Sequence, residues 1–181
     1  MKAQRLLKRQ RTSAAVLTLL AVVLLVLERG GEAAATLKHL ASRTDIKSKQ
    51  DIVSVLSEFD HLMAEHTELR RLRAASGASN GRASEAAADW LELLVSGEPV
   101  TDEGCLAIFD SGVYKDRSAD ILQSGFTPAS PAGELVVAGA RIHQGESAES
   151  TENLTAAISS PQLVERITGL VSSLPFSSFP Q

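Results

Sequence analysis

Between Ala14 and Leu27 the chain reads AAVLTLLAVVLLVL, an apolar run with one polar residue, Thr18, and no charge. Lys2, Arg5, Lys8, Arg9 and Arg11 precede it, and Glu28 and Arg29 follow at once. Counted from Thr12, the run holds 16 residues, about 24 Å of helix against a hydrocarbon core of about 30 Å. Snorkelling of the flanking Lys and Arg stems extends its reach. The pattern predicts a single-pass transmembrane anchor over 12–29, with residues 1–11 as a basic cytoplasmic tail. The physical ground is that uncharged side chains partition into hydrocarbon while flanking cations resist translocation. Two alternatives use the same residues: a secretory signal cleaved near Ala33–Ala35 and, in a eukaryotic cell, a mitochondrial presequence. Glu28-Arg29 is poor chemistry for a cleavage region, so the anchor is preferred.

Past Gly30-Gly31, which read as a helix break, the period changes. Ser48 and Asp51 mark a helix start. Ile52, Val55, Phe59, Leu62, His66 and Leu69 then fall at spacings of 3, 4, 3, 4 and 3. That is an a/d seam over nearly three heptads. It predicts a coiled-coil-like helical stalk over 30–75, with those six residues as a partner interface. An amphipathic helix packed on its own domain is the competing reading. The stretch 74–84, AASGASNGRAS, has the composition of a flexible linker, placed over 76–84.

Over 85–181 the signals mix. Ala87, Trp90, Leu91 and Leu94 make one helical face after Ser84, stopped by Gly97. Cys105 to Phe109 reads as a short strand returning at Val113-Tyr114, although Thr101-Asp102-Glu103 also suits a helix cap. Ser118 to Ser124 reads as a short helix, and Glu134 to Ile142, ELVVAGARI, as the best strand of the chain. A helical piece follows from Thr151 through Ile158. Pro161 then opens a last helix carrying Leu163, Ile167, Leu170 and Leu174, with Phe176 and Phe179 in the tail. The expected fold class is α+β: an N-terminal transmembrane helix, a helical stalk, and a small distal α+β domain with few strands over 85–181.

Charge sharpens this picture. The chain carries 18 basic and 22 acidic residues. Without the five cations of residues 1–27 and the Glu28-Arg29 pair, 12 basic and 21 acidic residues remain, a net of −9 over 30–181. So acidic a surface has no footprint for nucleic acid. Cys105 is the single cysteine, which excludes an intramolecular disulfide. Leu106, Ile108 and Phe109 around it point to burial.

Catalytic chemistry finds no pattern. His61 and Glu65 are four residues apart on the expected helix, but His66 turns to another face and no further ligand is near. No nucleophile elbow or phosphate-binding glycine loop is present, and Asn153-Leu154-Thr155 is a glycosylation sequon. No catalytic residue, metal site, cofactor or small-molecule substrate is expected, and the chain does not read as an enzyme.

The run Leu6-Leu7-Lys8-Arg9-Gln10-Arg11 ahead of the apolar segment, and VLSEFDHLMAEHTELRRL over 55–72 behind it, resemble the layout of bitopic inner-membrane platform proteins. These are the M component of type II secretion and the related type IV pilus alignment proteins. The resemblance covers the first ~75 residues in layout. It implies a non-catalytic membrane-anchored scaffold of a bacterial envelope complex, with protein partners, homo- or hetero-oligomeric, along the stalk. It also implies an inner-membrane location, residues 30–181 in the periplasm, and a ferredoxin-like distal domain, where the sequence offers one clear strand. The alternative is an exported soluble binding protein released by cleavage near Ala33–Ala35.

Overall fold

Helix signals prevail everywhere they compete with strand signals. The computed structural model describes residues 2–42, 46–146 and 148–172, with side chains from Ala14 onward except at 46–48. Its helices are α1 (Lys2–Val26), α2 (Gly30–Ala41), α3 (Ile46–Glu58), α4 (Thr67–Ala78), α5 (Ala83–Val95), α6 (Asp102–Ser111), α7 (Ser118–Gln123), α8 (Pro131–His143), α9 (Ser150–Ile158) and α10 (Val164–Ser172). Among the described residues there is no strand, so the α+β expectation is corrected to all-helical. Two compact units divide the chain, Met1–Asp89 and Trp90–Gln181.

The first unit is built on a hairpin. α1 ends where Arg29 N–H donates to the Leu24 carbonyl at 2.8 Å and Glu28 N–H to that of Leu25 at 3.0 Å. These are the two bonds of a Schellman cap. Glu28 takes the left-handed conformation there, with φ 55°. α2 folds back on α1, and both pack on α3. Leu25, Leu37, Leu40, Ile52, Leu56 and Leu69 are fully buried, each worth about 1.5–3 kcal/mol of transfer free energy. Gly30 is not a break but the start of α2, and it is buried. A Cβ on it would lie 2.2 Å from the ring of His66, so the imidazole closes over the corner only because the residue is glycine.

Among the described residues no helix is long and apolar enough to cross a membrane. That overturns the transmembrane anchor over 12–29, and with it the single-pass inner-membrane location with a periplasmic C-terminal part. The physical reason is that the run is short and one of its faces, Ala21, Leu24 and Leu25, forms protein core. The cleavage site weighed near Ala33–Ala35 falls inside α2, where Ala33 and Ala34 are buried.

The stalk is corrected as well. Residues 52–72 are not one rod: α3 stops at Glu58, a 3-10 turn spans Asp60–Leu62, and α4 restarts at Thr67. Phe59 (φ −116°, ψ 37°) and His66 (φ −127°, ψ 82°) leave the helical region. Breaking the rod lets α3 and α4 pack on each other and buries Leu62 and Met63; a continuous helix leaves that seam in water. The small residues expected as linker end α4, where Ala74, Ser76 and Gly77 are buried and Gly77 admits the Ala86 methyl to 3.4 Å of a Cβ position. Arg73 ties this end down, donating to both oxygens of Asp89 at 2.6 and 2.7 Å and to Asp60 at 2.7 Å.

The second unit surrounds α8, which packs on α6, α7 and α9. Leu135 through Ala140 are all buried. The strand expected over Glu134–Ile142 is this helix, started by Ser130, whose hydroxyl accepts from Gly133 N–H at 3.3 Å, and by Pro131. The strand expected at Cys105–Phe109 is α6, capped by the Thr101 hydroxyl and closed by Gly112 at φ 77°. Tyr114, expected in its return strand, lies on Gly139 and stacks on Phe109 at 5.2 Å. Leu174, Phe176 and Phe179 lie outside the described residues.

Candidate functional site

α1 has two apolar stripes. Leu17, Ala21, Leu24 and Leu25 recur at helical spacing and face the core of the first unit. On the other side Val16, Leu19, Leu20, Val23, Val26 and Leu27 follow the same period and stand in water, exposed by 58, 65, 46, 46, 65 and 58%. The one hydroxyl of the run is satisfied inside the helix, because Thr18 donates to the Ala14 carbonyl at 3.0 Å. The outward stripe thus offers no polar group of its own, and charge resumes only at Glu28 and in the Arg29–Glu32 ion pair, 2.5 Å, beyond its end. Isolated exposed leucines are ordinary, but a contiguous stripe of six is an interaction surface in most proteins.

The six residues expected as a partner interface lie in the same unit. Ile52, Leu62 and Leu69 are buried in its core, and Val55 and Phe59 pack against that core. His66 caps the start of α4 over Gly30. The structure brings them together as internal packing. The outward face of α1 was hidden in the sequence because hydropathy scores an apolar run as a whole. The available signal was the split of the run into two helical stripes.

The second unit holds a cavity of about 410 Å³ between residues 97–100 and 125–130, with Asp102 at its edge and Cys105 in its wall. Burial, helped by the nearby Asp102 charge, pushes the Cys105 thiol up to about 12. It is therefore neutral and a poor nucleophile near pH 7. Among the described residues no three His, Cys, Asp or Glu side chains converge to hold a metal. His61 sits in the 3-10 turn and Glu65 beyond it, so the helical spacing that paired them is lost. Asn153 of the sequon donates to Glu134 at 2.5 Å.

The remaining strong electrostatics is structural. Hydrogen bonds to Asp89 raise the Arg73 pKa further, against the opposing effect of burial. Its hydrogen bond to Lys38 lowers the Glu68 pKa. Arg166 clasps Asp110 through two bonds of 2.6 Å, and Arg117 bridges Glu92 and Asp120. Each of these charges has a partner within its own unit. The chain matches no family model, no curated protein and no solved structure.

Proposed function

We propose that this protein is a non-catalytic assembly component, held to a protein partner by the outward face of α1. The observation that carries the reading is the unbroken apolar stripe from Val16 to Leu27, on a helix whose opposite side is already fixed in the core. A stripe so placed is preorganised, and docking on it orders little further chain. The protonated, buried Cys105 and the mutually paired charges of both units support a role without chemistry. The scaffold role that the platform resemblance implies is kept in this narrower form, without the membrane anchor and without the ferredoxin-like domain.

The test is a photoreactive residue placed at Leu19 of the full chain in its own cells, with a control at Glu165, exposed on α10. A protein adduct is expected at Leu19 and none at Glu165. Adducts with lipid alone, or none at Leu19, overturn the proposal.

A further inference from the structure

We infer that the partner on the α1 face is a second copy of this chain, paired antiparallel about a two-fold axis near Ala21 and Val22. This rests on the reading of α1 as a protein interface and names its occupant.

Three observations carry it. The six stripe residues expose about 600 Å² per chain, so two copies can bury at most about 1,200 Å², which is the lower end of a specific interface. The stripe is also self-complementary in kind. It consists of Leu and Val alone, with no polar group that needs a differently built partner, and a two-fold pair sets one patch against itself. With the axis placed as above, Val16 lies across from Leu27 and Leu20 across from Val23.

Charge then selects the direction. Lys2, Arg5, Lys8, Arg9 and Arg11 precede the stripe, while Glu28, Arg29 and Glu32 follow it with a net charge of −1. Parallel pairing sets one chain's five cations beside the other's five. Antiparallel pairing sends the two cationic segments to opposite ends, each toward the partner's Glu28 end.

The experiment uses the full chain. Sedimentation should give twice the 19.2 kDa chain mass, reverting to the single mass in Leu19→Glu/Val26→Glu with unchanged helical circular dichroism. In a Cys105→Ala background, Val16→Cys and Leu27→Cys chains should each form no disulfide alone and form one when mixed. This second arm stands even if the double glutamate variant fails to fold.

Disulfides within each variant alone indicate parallel pairing and overturn the inference. So does a single chain mass at every concentration. If the Leu19 adduct is then with another protein, the assembly reading survives and only the second copy is lost. A monomer that floats with vesicles of anionic and neutral phospholipid assigns the face to a lipid surface and overturns both.

Discussion

α1 and α8 each carry a long apolar run, Ala14–Val26 and Leu135–Ala140, and they treat it in opposite ways. α8 is enclosed: Leu135 to Ala140 are buried on every side by α6, α7 and α9. α1 is enclosed on one side only, with Ala21 and Leu25 in the core and Leu19 and Val26 in water. Neighbours, not composition, decide which. α6, α7 and α9 wrap α8, whereas α2 and α3 cover one face of α1.

The largest test of this contrast is a two-residue step on each helix. Ala21→Asp buries a charge in the core and should cost about 4 kcal/mol, while Leu19→Asp on the dilute chain should change stability by about 0.5 kcal/mol or less. The same step on α8, Leu135→Asp and Val137→Asp, should cost about 4 kcal/mol at both positions. Chemical denaturation followed by circular dichroism reads all four. Equal costs on the two faces of α1 break the comparison.

A smaller effect is expected at the glycines that admit aromatic rings. A Cβ on Gly139 meets Tyr114 at 2.8 Å, so Gly139→Val should destabilise the second unit by about 3 kcal/mol and shift the tyrosine near-ultraviolet signal. Gly30→Ala in the first unit should cost about 2 kcal/mol through His66. Gly31, with nothing within 4 Å, should gain up to about 1 kcal/mol on substitution by alanine. An unaffected Gly30→Ala melting curve removes His66 from the corner.

In α6 the expected effect depends on pH. The Cys105 thiol rises from its ordinary 9.0 to about 12 in the folded chain. A raised pKa contributes stability that is complete below pH 9 and is lost as pH climbs toward 12. At pH 10 the loss is about 1.4 kcal/mol. Cys105→Ala should lack this slope in denaturation midpoints between pH 8 and 10.

Caps and stops were legible in the sequence wherever one residue suffices. Gly97 ends α5, Ser118 opens α7, and Thr101, the cap that competes with the strand reading, starts α6. At Glu134–Ile142 the six-residue apolar run Leu135–Ala140 fits a buried strand and a buried helix equally by periodicity. Ser130-Pro131 ahead of it was the deciding signal. The same dipeptide at Ser160-Pro161 yields a 3-10 turn over Pro161–Leu163 before α10, so it fixes an entry more firmly than a length. The heptad spacing from Ile52 to Leu69 is real, but spacing does not show that the chain turns at Phe59 and folds the seam inward. The outward face of α1 was written in residues 16–27 and disguised by the apolar residues between its members.

Glu28 gives the α1 corner a second meaning. The same cap closes α5 at Gly97 (φ 78°) and α8 at Gly145 (φ 83°), each with glycine at the left-handed position. Glutamate in that conformation costs about 1 kcal/mol, so Glu28→Gly should raise the melting temperature. The same change removes the first charge after a Leu- and Val-rich run that, unfolded, has the makings of a cross-β segment. Charges at the border of such runs act as gatekeepers against aggregation. The strained glutamate thus trades a little folded-state stability for protection of the unfolded chain, and Glu28→Gly should melt later yet precipitate sooner on refolding.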